Sequence, residues 1–363
     1  MTWIGNEDWM GIIYGNDPPT KLIGFDLDDT LSIKKGDQME EAMKYLKKNV
    51  TKYAILVISN QSGAHGKTFP MEEWKEKVVS LIEDIIGVNK SYYVGIYASK
   101  NWNCYRKPAP FLVYKALKHY EKITGVARNL EWFCGDAAGR KQISTLRKKY
   151  HPTSKVGDHS DVDRKLALNL EIPFYTPEEV FLNENPSPYS LAGYDPKPYT
   201  KVPVSPPIQN KTLYLIMGYP ATGKTWYHKK YLSQFPLVSQ DIYKTEAKCI
   251  LKVKELIKKG SVVVEGLLST NAKREKYTSL AQKTITIEME ADVELAMHLN
   301  WVRHIVNCLN NKHHQLVHPI VYKTHRKYLE PDPNAIKTPL GIKEWIQDKR
   351  WVAAYRLRYE SVK

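Results

Sequence analysis

Leu22-Ile23-Gly24-Phe25-Asp26-Leu27-Asp28-Asp29-Thr30 is an apolar run that breaks abruptly into carboxylates. Short runs without polar alternation suit strands buried on both faces, as in a parallel sheet covered by helices. Runs at 54–58, 92–97 and 132–134 repeat the pattern. Helical periodicity separates them, clearest over 71–86, where Trp74, Val78, Leu81, Ile82 and Ile85 share one face. This alternation predicts an α/β fold with a doubly wound parallel sheet. In such sheets ligands gather at the carboxyl ends of the strands. Asp26, Ser59, Lys107 and Asp136 all fall at or just past the ends of these four runs.

Each position has a chemical reason. A strand-end carboxylate, Asp26, can attack phosphorus and form an aspartyl-phosphate, dividing one hard hydrolysis into two easier steps. Asp28 lies where the chain turns and can aim at the same site. It can protonate the leaving oxygen and later deprotonate water. Ser59 and Lys107 suit holding phosphoryl oxygens and offsetting their charge. Asp26, Asp28 and Asp136 are the expected oxygen ligands of Mg²⁺.

A second phosphate-handling motif follows the apolar run 212–217. Gly218-Tyr219-Pro220-Ala221-Thr222-Gly223-Lys224-Thr225 matches G-x-x-x-x-G-K-[ST] in full. Gly218 and Gly223 let backbone N–H groups converge on the phosphates of ATP. Lys224 reaches the β/γ oxygens, and Thr225 is a Mg²⁺ ligand at the start of a helix. Gly66-Lys67-Thr68 only mimics this ending, since Gln61 stands where the first glycine belongs. A kinase also needs a base for the acceptor and positive charge over the transferred group. Asp241, after the run 237–239, is the candidate base; capping a helix over 243–258 is its other reading. Arg303, on a helix over 292–308, is the candidate lid arginine, with Arg326 second. One motif suits removing phosphate and the other adding it, so the two must act at different substrate positions.

The 363 residues allow two domains. Pro186, Pro188, Pro196, Pro198, Pro203, Pro206 and Pro207 mark a semi-rigid extended connector. We therefore expect a phosphatase-type domain over 1–183, a linker over 184–210 and a P-loop domain over 211–363. Lys+Arg number 54 against 39 Asp+Glu, a formal charge of +15, which suits a polyanion such as nucleic acid. No stretch nears about 18 uninterrupted apolar residues, so no membrane partner is expected. The start of the chain lacks a basic segment followed by an apolar run, which argues against a secretory signal. Cys104, Cys134, Cys249 and Cys308 have no C-x-x-C spacing and read as reduced, mostly buried thiols of an intracellular protein.

These residues carry a resemblance. Asp26-Leu27-Asp28-Asp29-Thr30, Ser59-Asn60-Gln61-Ser62-Gly63, Arg106-Lys107-Pro108 and Gly135-Asp136-Ala137-Ala138-Gly139-Arg140 resemble the haloacid-dehalogenase phosphatases. More narrowly, they are similar to the 3′-phosphatase half of the polynucleotide kinase 3′-phosphatase family. Asp163-Arg164, Ala167-Leu168-Asn169-Leu170 and Thr176-Pro177-Glu178-Glu179-Val180-Phe181-Leu182 extend the likeness. Gly218 to Thr225, Val238-Ser239-Gln240-Asp241 and the stretch 319–328 resemble that family's 5′-kinase half, more loosely. Three departures stand out. Asp29 occupies a usual glycine, Ala109-Pro110-Phe111 replaces Gly-Met-Trp, and Glu265 stands in place of Asp-Asn-Thr-Asn. A second acidic metal ligand is implied, with Asp158 and Asp163 both open.

The resemblance implies a bifunctional enzyme that strips 3′-phosphates, phosphorylates 5′-hydroxyls with ATP and Mg²⁺, and so prepares strand breaks for ligation in DNA repair. Its partner is then a nucleic-acid strand end, DNA or RNA, with Trp3, Trp102, Tyr105 and Trp132 as candidate stacking surfaces. Its location would be the nucleus in a eukaryotic cell and the cytoplasm otherwise. The short stretch before Leu22 leaves no room for the forkhead-associated domain that some relatives carry. The alternative reading is a small-molecule nucleotidase fused to a nucleoside kinase.

Overall fold

A computed structural model describes residues 1–15, 19–33, 37–61, 71–87, 92–310, 312 and 316–360. Ser62-Gly63 of the Ser59 motif and the rejected Gly66-Lys67-Thr68 lie outside them. Two compact units form, Met1–Gly193 with Leu357–Glu360, and Tyr194–Arg356.

The first unit contains β1 (Thr2–Gly5), β2 (Trp9–Tyr14), β3 (Lys21–Phe25), β4 (Tyr53–Asn60), β5 (Val94–Ser99), β6 (Leu130–Cys134) and β7 (Phe174–Tyr175). Their sheet order is β1-β2-β5-β4-β3-β6-β7. From β5 to β7 every pairing is parallel. The apolar run 22–25 therefore sits centrally, and its alternate residues feed two cores. Ile23 and Phe25 pack with Trp74, Val78 and Leu81 on one face. Leu22 packs with Leu112, Val113 and Leu166 on the other. Helices Met71–Ile86 and Phe111–Thr124 cover these opposite faces. The expected doubly wound arrangement is present, and the sheet is mixed. Residues 2–14 form a hairpin that adds two antiparallel strands at the β5 edge. The main pairing partner of this hairpin, β5, lies some eighty residues downstream.

The second unit contains β8 (Thr212–Met217), β9 (Leu237–Ser239), β10 (Val262–Gly266), β11 (Lys283–Glu290) and β12 (Ile336–Pro339). The order is β12-β11-β8-β10-β9, parallel throughout. All six residues of β8 are buried, as an unbroken apolar run requires of a central strand. The glycine-rich loop follows β8 and leads into the helix Lys224–Tyr231.

The proline-rich connector is extended, and each end packs on its own unit. Ser190 N donates to Gly139 O at 3.0 Å in the first. Val204 N donates to Thr338 Oγ1 at 2.9 Å in the second. Among the described residues no helix is long and apolar enough to cross a membrane. Cys134 and Cys249 are buried free thiols.

Candidate active sites

The first site lies at the carboxyl ends of β3, β4 and β6. Asp26 follows Phe25 directly, and its backbone N–H donates to Cys134 O at 2.8 Å, which holds it to the neighbouring strand. Lys107, 2 % exposed, reaches Asp26 Oδ1 at 2.5 Å and Asp163 Oδ1 at 2.7 Å. Asn60 clamps the Lys107 backbone: its Oδ1 accepts from Lys107 N at 2.8 Å and its Nδ2 donates to Lys107 O at 3.1 Å. Asp136 is fixed through its N–H, which donates to Thr30 Oγ1 at 3.0 Å.

Asp26, Asp136 and Asp163 place one oxygen each within 4.8 Å of one another, all buried. Three buried carboxylates against one ammonium leave uncompensated negative charge. Burial, then Asp163, raises the Asp26 pKa to about 7 against the pull of Lys107. Burial, Asp163 and Asp26 push Asp136 well above the carboxylate range. Burial pulls Lys107 down, yet Asp163 and Asp26 outweigh it and its pKa stays above the ordinary lysine value. Asp136 Oδ2 is buried with no hydrogen-bond partner among the described residues. An all-oxygen donor set with spare negative charge, and an acceptor met only by His159 Nδ1 at 3.7 Å, suits a hard divalent cation such as Mg²⁺.

Of the two open candidates, Asp163 joins this cluster and Asp158 does not. Asp158 is taken up by Arg140, whose Nε donates to Oδ2 at 2.9 Å, and by the Ala138 and Arg140 N–H groups. Asp28, expected as acid and ligand, lies outside the cluster. Its Oδ1 pairs with Lys77 Nζ at 2.8 Å, and its Oδ2 accepts from Gln61. Gln61 also donates to Ser59 Oγ at 2.8 Å, so it ties two expected site residues together. Lys77 carries no motif, and Gln61 stands within the stretch Ser59 to Gly63 without a role that the sequence alone assigns. Asp29 has φ +58, the left-handed region that favours glycine and that aspartate tolerates, which accounts for the usual glycine here. Of the stacking candidates, Trp3 and Trp102 are exposed, whereas Trp132 packs edge-on against Phe25.

The second site is a cavity of about 880 Å³ lined by Gly223, Lys224, Thr225, Asp241, Glu265 and Arg303 among others. Gly218 (φ +145) and Gly223 (φ +83) adopt backbone conformations that side chains disfavour. Lys224 folds over the loop, donating to Tyr219 O at 2.6 Å and Gly218 O at 3.0 Å. Burial lowers its pKa to about 8, with Arg303 adding to the drop and Glu265 opposing it. Thr225 Oγ1 lies 2.9 and 3.0 Å from the two oxygens of Glu265. Burial raises Glu265, while Thr225 and Lys224 hold it down. This departure from the family pattern thus puts a carboxylate beside the expected metal-ligating hydroxyl. Asp241 sits in the short helix Gln240–Tyr243 on the cavity wall. The single helix expected over 243–258 is broken at Lys244, and Thr245 rather than Asp241 caps its continuation, Glu246–Leu256. Arg303 is half-buried, and its Nε has no hydrogen-bond partner among the described residues. Arg326 is exposed and does not line the cavity.

Residues 21–181 match the family model described as polynucleotide kinase 3 phosphatase. A protein of Acanthamoeba polyphaga mimivirus, provisionally named a bifunctional polynucleotide phosphatase/kinase, is 33 % identical over 342 residues, 84 % of this chain and 81 % of its own length. The chain belongs to the bifunctional polynucleotide phosphatase/kinase family. A Schizosaccharomyces pombe member of that name is 28 % identical over 266 residues, 70 % of this chain and 60 % of its own. An Arabidopsis thaliana polynucleotide 3′-phosphatase matches 152 residues at 26 % identity, 38 % of this chain and 19 % of its own. The family model spans the strand that holds Ser59 and the strands that lead into Asp26 and Asp136, and the phosphate loop lies outside it.

Proposed function

We propose that this chain heals broken nucleic-acid ends, removing 3′-phosphates in one site and phosphorylating 5′-hydroxyls with ATP in the other. The observation that carries the reading is Lys107 bridging Asp26 and Asp163, in a chain whose other unit holds a complete phosphate loop. The phosphatase belongs to 1–183 and the kinase to 211–363, joined by 184–210.

In the phosphatase an Asp26 oxygen attacks the phosphorus of a 3′-phosphate monoester, and the bond to the 3′-oxygen breaks. Asp28 protonates that oxygen, then takes a proton from the water that hydrolyses the aspartyl-phosphate and frees inorganic phosphate. Ser59 and Lys107 hold the phosphoryl oxygens. Asp26, Asp136 and Asp163 would hold Mg²⁺, which when bound neutralises the phosphoryl charge. In the kinase Lys224 and the loop N–H groups hold the ATP phosphates, and Thr225 and Glu265 are the residues that would hold its Mg²⁺. Asp241 accepts the proton of the 5′-hydroxyl, and Arg303 offsets charge on the transferred group.

A net charge of +15 supports a polyanionic substrate. Ligation needs a 5′-phosphate facing a 3′-hydroxyl, which places the enzyme in strand-break repair, in the nucleus or cytoplasm where nucleic acid is kept. The test is turnover of oligonucleotides bearing 3′-phosphate or 5′-hydroxyl ends, with Mg²⁺ and ATP. No reaction at either end overturns the proposal.

A further inference from the structure

The first unit is completed by four residues from far along the chain, Leu357–Glu360. Their contacts fall on the two elements that supply Lys107 and Asp163. On one side Glu360 Oε2 pairs with Arg106 Nε at 3.0 Å, next to Lys107. On the other lies the helix Val162–Leu170, which carries Asp163 in its first turn. From this helix Asn169 Oδ1 accepts from Arg358 N at 2.8 Å, and Asn169 Nδ2 donates to Arg358 O at 2.8 Å and Pro108 O at 2.9 Å. Lys165, 1 % exposed, donates to Tyr359 O at 3.0 Å, and Tyr359 is itself buried. The segment therefore joins the Arg106–Pro108 loop to the Asp163 helix. Between those two elements the critical contact is the 2.7 Å pair of Lys107 with Asp163.

We infer that Arg358–Glu360 is a positioning element of the phosphatase, holding the Lys107 ammonium in register with Asp163 and Asp26. The inference rests on the phosphatase reading of the first unit. Misplacing a phosphoryl-holding ammonium by a fraction of an ångström weakens transition-state charge stabilisation more than ground-state binding, so the loss belongs in kcat.

Three full-length variants and one deletion test it, each assayed on a 3′-phosphate oligonucleotide and, separately, for 5′-kinase turnover, with melting recorded. Deleting 357–363 is expected to lower phosphatase kcat on the order of tenfold or more, with KM and kinase turnover within about twofold. Glu360→Gln keeps Tyr359 seated and removes only the charge opposite Arg106. It should lower phosphatase kcat measurably at unchanged melting, and so decides the matter if the deletion also loosens the fold. Arg106→Glu alone should lose kcat, and Arg106→Glu with Glu360→Arg should recover part of it. Phosphatase kcat unchanged in both the deletion and Glu360→Gln overturns the inference, as does a loss that only tracks melting or fails to recover in the charge swap. A wild-type chain without 3′-phosphatase turnover overturns the functional reading and this inference together. A normal wild type with insensitive variants overturns only the inference.

Discussion

The Thr225 hydroxyl, in the first turn of the helix Lys224–Tyr231, lies within 3.0 Å of both oxygens of Glu265 on β10. A carboxylate there offsets Lys224 and, on the proposed kinase reading, would complete an oxygen pair for a divalent cation. Glu265→Gln keeps the shape and an acceptor but removes the charge. Kinase kcat should fall on the order of 100-fold while phosphatase rates stay unchanged. Steady-state kinetics of both reactions on one preparation check this, and an unaffected kinase would refute the role.

Asp26→Ala should abolish 3′-phosphatase turnover and leave the kinase intact. Lys224→Ala should do the reverse. Each side chain is built into its own unit, so loss of both activities from either single change would argue against two independent sites.

Asp158 and Asp163 look interchangeable along the chain, yet the structure gives them opposite tasks. Asp158→Asn weakens a buried ion pair with Arg140, which keeps Glu178 as a second carboxylate, and should cost about 1.5–3 kcal/mol of stability. Asp163→Asn removes one of three crowded carboxylates, so apo stability should hold or rise while phosphatase turnover is lost. Melting with and without Mg²⁺ separates them. The wild-type midpoint should rise with Mg²⁺, and that rise should vanish in Asp163→Asn.

A methyl group at Gly223 would sit 1.8 Å from the Trp345 ring, at a φ of +83. Gly223→Ala must therefore displace the ring and distort the loop whose N–H groups hold phosphate. We expect KM for ATP to rise by about tenfold or more with the phosphatase unchanged. An unaltered KM would show that the loop tolerates the change.

His298 is buried, and burial lowers its pKa to about 3 despite its hydrogen bond to Tyr355 O. The folded state thus binds the neutral ring, while the unfolded chain protonates near pH 6.5. This contribution is full above pH 6.5 and is lost as pH falls toward 3, by about 1.4 kcal/mol per pH unit. Stability from denaturant titrations of the wild type and His298→Asn between pH 6 and 4 should differ in its dependence on pH by about that amount. Parallel slopes would exclude the effect.

Local chemistry determined much of this protein. Unbroken apolar runs marked the central strands, because strands covered on both faces leave no polar alternation. Asp26, Asp136 and the loop from Gly218 to Thr225 stood out as candidates because of their residue types and their positions just past strand ends, and Lys107 because of its place in Arg106-Lys107-Pro108. The helix Met71–Ile86 followed from its apolar face alone. Tertiary structure decided what has no local signature. It chose Asp163 over Asp158, set Glu265 on Thr225 and Lys77 on Asp28, and added the 2–14 hairpin to the β5 edge. It also brought Leu357–Glu360 beside Lys107. Such pairings join residues tens to hundreds of positions apart, and folding selects them through packing and charge compensation in three dimensions, which no short window of sequence records.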